Sequence, residues 1–207
     1  MTDPPADPNP APTTGRDPMT EAQIQASWIG KIEPLTGPIT FAEYDPGWPA
    51  LFGREETRIR AVLGDRVVEI EHTGSTSVPG LAAKPVIDIT MTVADVTDEP
   101  DYVPDLEAAG YRLAIREAEP DWYEHRVFKG PDTNINLHVF SAGSPELERM
   151  VGFRDWLRTH DEDRDLYEAT KRDLVGREWK YVQNYADAKS EVVETIAARA
   201  GLPGPRP

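Results

Sequence analysis

The stretch IEHTGSTSVPGLAAKPVIDITMTV, residues 70 to 93, gathers many of the side chains in this sequence that could do chemistry. Gly74 admits a positive φ, so Ser75, Thr76 and Ser77 can turn hydroxyls and backbone N–H groups toward one point. Such a nest holds phosphate oxygens. A Ser/Thr-capped turn would use the same residues for itself, and the residues alone leave both readings open. The spacing is neither that of a P-loop nor that of a dinucleotide-binding Gly-x-Gly-x-x-Gly turn. Lys84 follows with a cation, and Asp88 then stands inside an apolar run with Val86, Ile87 and Ile89. A carboxylate in that setting is costly unless a cation, hydrogen-bond donors or a metal compensate it. In a strand Thr90 shares the face of Asp88, while Ile87 and Ile89 take the other.

Further polar candidates lie downstream. His138, in NINLHVF, alternates with Asn136 and is read as a site residue on the same strand face. His72 alternates with Ile70 and is either a site residue or a hydrogen-bonded structural histidine. Arg126, in HRVF, carries a guanidinium suited to phosphate, or else pairs with one of the many acids. Tyr167/Lys171 and Tyr185/Lys189 each fall four apart, hence on one helix face. Lys189 and Tyr185 are assigned to the ligand. Lys171 is read as a lysine laid over an aromatic core residue, and DEDRD as a solvated helix start.

These residues need a scaffold, and the pattern supplies one. Asp45 and Pro46 open a helix that carries Leu51, Phe52, Ile59, Val62 and Leu63 and stops at Gly64. Val67 to Ile70 and Pro85 to Val93 are expected as strands flanking the Ser/Gly loop, and DYVPDLEAAG as a short helix ended by Gly110. YRLAI, WYEHRVF and NINLHVF add three β-rich runs. After Phe140 the pattern is helical, with a third C-terminal helix expected over residues 177 to 200. The fold class is α+β (α/β): a mixed sheet with flanking helices and a helical C-terminal section. Residues 1–38, rich in proline and poor in apolar side chains, are expected to be a disordered tail, with IQASWIGKI (residues 24 to 32) left open as a short element that docks on the domain. Residues 39–202 are expected as the domain, and 203–207 as a short C-terminal tail.

The 207 residues suffice for one cored domain. A net charge of −15 disfavours a nucleic-acid partner, yet a local basic cluster could still bind a small anion. With no cysteine, no basic-then-apolar leader and no run long enough to span a bilayer, a cytoplasmic protein without a membrane partner is expected.

YDPGWPALF, EHTGSTSVPGLAAKPVIDI and NLHVF, in that order and spacing, resemble the GrpB family over roughly residues 40 to 200. The resemblance implies a nucleotidyltransferase-like fold, with a Gly-Ser loop at Gly74 and Ser75 and an acid on the next strand, Asp88, as ligand of Mg²⁺ or Mn²⁺. It also implies a departure, because the second acid of that pattern is Thr90 here, and a later strand offers Asn136 and His138 instead of a third, which puts His138 with Asp88 as the catalytic and metal-ligating pair. The function so implied is binding of a nucleotide or phosphorylated small molecule, with nucleotidyl transfer in question. The alternative is a non-catalytic folding accessory with a client protein, as in fusions to dephospho-CoA kinase.

Overall fold

The computed structural model describes residues 18–119 and 123–204. Five strands form one mixed sheet: β1 (Glu69–Thr73), β2 (Ile87–Val93), β3 (Arg112–Glu119), β4 (Tyr123–Lys129) and β5 (Ile135–Ser141), in the spatial order β1-β2-β5-β4-β3. Only β2 and β5 run parallel among the paired strands, with Asp88 opposite Asn136 and Thr90 opposite His138. β1 pairs antiparallel with β2, β4 with β5 and β3 with β4.

The period-two alternation divides each strand between two environments. Ile87, Ile89 and Met91 of β2, Ile135, Leu137 and Val139 of β5 and Phe128 of β4 enter the main core. That core is closed by Ile59 and Leu63 of α2 (Trp48–Leu63) and by Val103 and Leu106 of α3 (Val103–Ala108). The opposite face carries Asp88, Thr90, Asn136, His138, Val127 and Lys129, as the cross-strand register requires. It lies toward the C-terminal helices α4 (Pro145–Thr159), α5 (Asp161–Val175), α6 (Val182–Asp187) and α7 (Ser190–Arg199). These have their own core, in which Leu157, Tyr167, Val192 and Ile196 pack with Val78 and Leu81 of the loop after β1.

Several boundaries differ from the sequence reading. α2 starts at Trp48, because the Asp45 carboxylate accepts the Gly47 N–H at 2.7 Å and shapes the entry turn rather than capping a helix at Pro46. The helix expected over 177–200 is two helices, separated where Lys189 N–H turns back to Ala186 O at 3.2 Å. Asp163, in the acidic run, is buried and accepts the Trp156 indole N–H at 2.7 Å.

The largest correction concerns residues 18–38, expected as part of a disordered tail. Thr20 opens α1 (Glu21–Ser27) with a capping box to Gln23, and Ile24 is only 1% exposed against Ile32 and Tyr181. One well-placed isoleucine and a cap outweigh the composition. Residues 1–17 lie outside the described residues, as do 205–207. Pro203, placed in the C-terminal tail, is anchored through its carbonyl to Arg149 at 2.7 Å.

Candidate functional site

Gly74 takes φ 65° and ψ −175°, a backbone region essentially confined to glycine. A Cβ there would lie 2.3 Å from Asp88 Oδ2. The missing side chain is therefore the space that the Asp88 carboxylate occupies. Asp88 Oδ1 accepts Asn136 Nδ2 at 2.7 Å and stands 3.7 Å from His138 Nε2. Burial pushes this carboxyl up, but His138, Asn136 and the more distant Lys84 together hold it below its ordinary value. Asn136 in turn accepts Lys129 Nζ, so Lys129, Asn136, Asp88 and His138 form one polar patch on the sheet.

That patch floors a cleft of about 630 Å³ between the sheet and the C-terminal helices. Its walls include Ser75, Lys84, Lys171, Tyr185 and Lys189. The chain has six lysines, and four of them, Lys84, Lys129, Lys171 and Lys189, line this one cleft. None of the four forms an ion pair with a carboxylate among the described residues, whereas the exposed Lys180 pairs with Glu21, and arginines such as Arg126, Arg149 and Arg154 are neutralised by acids. Burial pushes Lys171 down to about 7, with Lys189 and Arg172 adding and Glu168 opposing. It pushes Lys84 down to about 8, with Lys189 and Lys129 adding and Asp88 opposing. Lys129 is lowered for the same first reason. An acidic protein thus gathers four lysines in one cleft, where Glu33, Asp88, Glu117 and Glu146 share the lining without forming an ion pair to any of them among the described residues.

The Ser/Gly loop is only partly available to a ligand. Ser75 lines the cleft and accepts Lys171 Nζ at 3.1 Å. The Ser77 hydroxyl instead donates to Gly74 O at 2.6 Å, and its N–H returns to the same carbonyl at 3.3 Å. The Thr76 hydroxyl donates to Val86 O at 3.1 Å, so its contact with His72 Nε2, also 3.1 Å, has the imidazole as donor. The Ser77 and Thr76 hydroxyls therefore fasten the turn, while Ser75 and Thr76 still line the cleft. His72 belongs to that brace. It stacks on Phe52 at 5.0 Å, and burial pushes its pKa down to about 4, Asp88 opposing and Arg158 and Arg154 adding.

Arg126 is not brought to the site. Its neighbours His125 and Val127 line the cleft, and alternation sends Arg126 to the opposite face, where it binds Glu99 at 2.7 Å and Glu124 at 2.9 Å. Lys171 corrects the reading in the other direction. It does lie over Tyr167, 4.7 Å from the ring centroid, but its amine also reaches Ser75 and Ala82 O, at 3.1 and 2.5 Å, at the cleft wall. Lys129, Glu117 and His125 also belong to the cleft and were not singled out in the sequence. His125 Nε2 meets His138 Nδ1 at 3.1 Å with the rings 2° from parallel, and His125 Nδ1 meets Glu117 at 3.2 Å.

For a divalent cation the donor set is short. Asp88 and His138 offer two protein atoms, and no three metal-ligating side chains converge among the described residues. The Asn136 carboxamide oxygen is taken by Lys129, and Thr90, in the second acid's place, keeps its hydroxyl fully buried without a hydrogen-bond partner. Mg²⁺ requires near-octahedral oxygen coordination, which these residues alone do not supply.

The family model described as GrpB protein matches residues 38–199. The UPF0157 protein BH1888 of Halalkalibacterium halodurans is 58% identical, with 88% of this chain and 93% of that protein covered. A dephospho-CoA kinase of Mycolicibacterium paratuberculosis is 31% identical over 75% of this chain, which spans only 46% of that relative. Among solved structures, the conserved protein GrpB from Enterococcus faecalis superposes with a TM-score of 0.67 at 27% identity, over 78% of this chain and 96% of that one. No helix among the described residues is long and apolar enough to cross a membrane.

Proposed function

The chain belongs to the GrpB family, and we propose that it binds a nucleotide or other phosphorylated small molecule in the lysine-lined cleft. The observation that carries this reading is the gathering of Lys84, Lys129, Lys171 and Lys189 around one cleft, with none of them in an ion pair among the described residues. Charged amines are buried at a cost unless an anion compensates them, and a phosphate supplies both the charge and the acceptor oxygens. Ser75 and Lys171 would hold the phosphate at the loop, Lys84 and Lys189 would neutralise it, and Asp88 with His138 would face the bond next to it. In this reading Mg²⁺ or Mn²⁺ enters only with the ligand's own oxygens completing its coordination.

A second reading, a non-catalytic accessory domain, is favoured by the two-atom donor set at Asp88 and His138. Calorimetric titration with ATP, GTP and dephospho-CoA, each with and without Mn²⁺, decides between them. One of these compounds should bind, and Lys84→Met should weaken it about tenfold or more, as expected for a hydrogen bond to a charged group worth about 1.5–3 kcal/mol. No heat and no shift in melting temperature with any compound would leave the accessory reading standing.

A further inference from the structure

The cleft changes character along the sheet. Asp88 of β2 and Asn136 and His138 of β5 form its polar end, beside Lys84 and Lys189. Crossing to β4 and β3, the lining gains Val127 and Ile115, which are paired across the two strands, beside Lys129, His125 and Glu117. The far end is closed by residues that precede the family segment. Trp28 makes an antiparallel bridge to Ile115, and Ile29 N–H donates to Ala114 O at 2.9 Å. Met19 N–H binds Asp187 at 2.9 Å, Leu35 N–H binds Lys180 O at 2.9 Å and Glu21 accepts the Tyr181 hydroxyl at 2.8 Å. Residues 19–35 therefore run as a strap from the edge of β3 to α6, with Trp28 and Ile32 turned to the cleft. The Trp28 indole is half-buried and lies under Lys129, whose amine is 5.9 Å from the ring centroid.

Resting on the phosphate-binding reading above, we infer that Trp28 is a specificity-determining wall that selects phosphorylated ligands bearing a planar aromatic ring. From β2 to β3 is three strand spacings, about 14 Å. This separation matches a phosphate chain at Asp88 joined to a ring system at Trp28. A linear phosphate would leave Trp28, Ile32 and Ile115 hydrated. A ring would cover Trp28, Ile32 and Ile115 and exchange water for aromatic contact.

The test uses the full chain, with ATP and inorganic tripolyphosphate as probes in calorimetric titrations. The parent should bind both, ATP more tightly. Trp28→Ala should weaken ATP about five- to 150-fold, the range of one base–aromatic stack, and leave tripolyphosphate within twofold. Trp28→Phe, which keeps a ring, should recover most of the ATP affinity and guards against a misfolded alanine variant. Equal losses for both probes in Trp28→Ala, or unchanged ATP binding in a folded variant, would overturn the inference while leaving the phosphate reading intact. A parent that binds neither probe would overturn both.

Discussion

Ile87, Ile89 and Met91 point from β2 into the core shared with α2 and α3, whereas Asp88, Thr90 and Thr92 of the same strand point to the side of the C-terminal helices. Both faces contain buried polar groups, but they treat them differently. On the α2 side Glu55 is fully buried, and it accepts the Tyr111 hydroxyl at 2.7 Å and the Thr133 hydroxyl at 2.6 Å, with Arg58 3.5 Å away. On the cleft side, among the described residues, the buried hydroxyls of Thr90 and Thr92 have no hydrogen-bond partner, and Lys84, Lys129, Lys171 and Lys189 form no ion pair with the acids that share the cleft. Polarity that serves only the fold is satisfied within the fold. Polarity left open marks the face that a ligand would complete.

The strongest way to break this contrast is at Glu55. If its network is purely structural, Glu55→Ala removes two hydrogen bonds to a buried carboxyl group, each worth about 1.5–3 kcal/mol, and leaves the Tyr111 hydroxyl without its acceptor, so it should lower stability by about 3–5 kcal/mol. Urea denaturation measures this, and the affinity for ATP in the folded fraction should not change. A loss under about 1 kcal/mol, or a loss of ligand binding, would remove the distinction between the two faces.

The next effect is smaller and sharpens the cleft side. Gly74→Ala combines a strained backbone with the contact to the Asp88 carboxylate, and should cost about 2–3 kcal/mol. In an Asp88→Ala background the carboxylate contact is gone and only the Cβ of residue 88, 2.9 Å away, remains, so the same substitution should cost about 1 kcal/mol less. Equal costs in the two backgrounds would mean that Gly74 serves the turn and not the carboxylate.

These two positions also show what the sequence could disclose. Gly74 and Asp88 were legible because each is locally anomalous: a glycine before three hydroxyls, and an acid in an apolar strand. The mixed sheet and helical C-terminal section were legible from the change of hydrophobic period. Arg126 was misplaced because moving one residue along a strand changes the face, and only the pairing of β4 with β5 fixes that choice. Lys129 became a site residue through the same pairing, opposite Asn136. Lys171 was hidden differently. Its spacing from Tyr167 is correct for a lysine over a ring, and only the approach of α5 to the Ser/Gly loop gives its amine a second role. The strap at residues 19–35 was legible only as the open question of IQASWIGKI, because composition averages over a stretch, while packing depends on single residues such as Ile24.

The lysines themselves give the finest test of the comparison. In the ligand-free fold Lys171 sits near 7 and Lys84 near 8, both below the ordinary 10.5. The unfolded chain then binds more protons than the folded one between about pH 7 and 10.5, so the free protein should gain stability as pH rises through that window. A bound phosphate reverses the balance, because a nearby anion favours the charged amines and raises both values. Binding at pH 8 should therefore take up on the order of one proton, and affinity should fall by up to about tenfold per pH unit above 8. The slope of binding enthalpy against buffer ionisation enthalpy reads the uptake directly. Lys171→Met should remove more than half of it, since at pH 8 Lys171 is the more fully deprotonated of the two. Zero uptake, or proton release, would mean that the amines are already charged without ligand. The positive cleft would then be compensated by the protein after all, as the buried acid on the opposite face is.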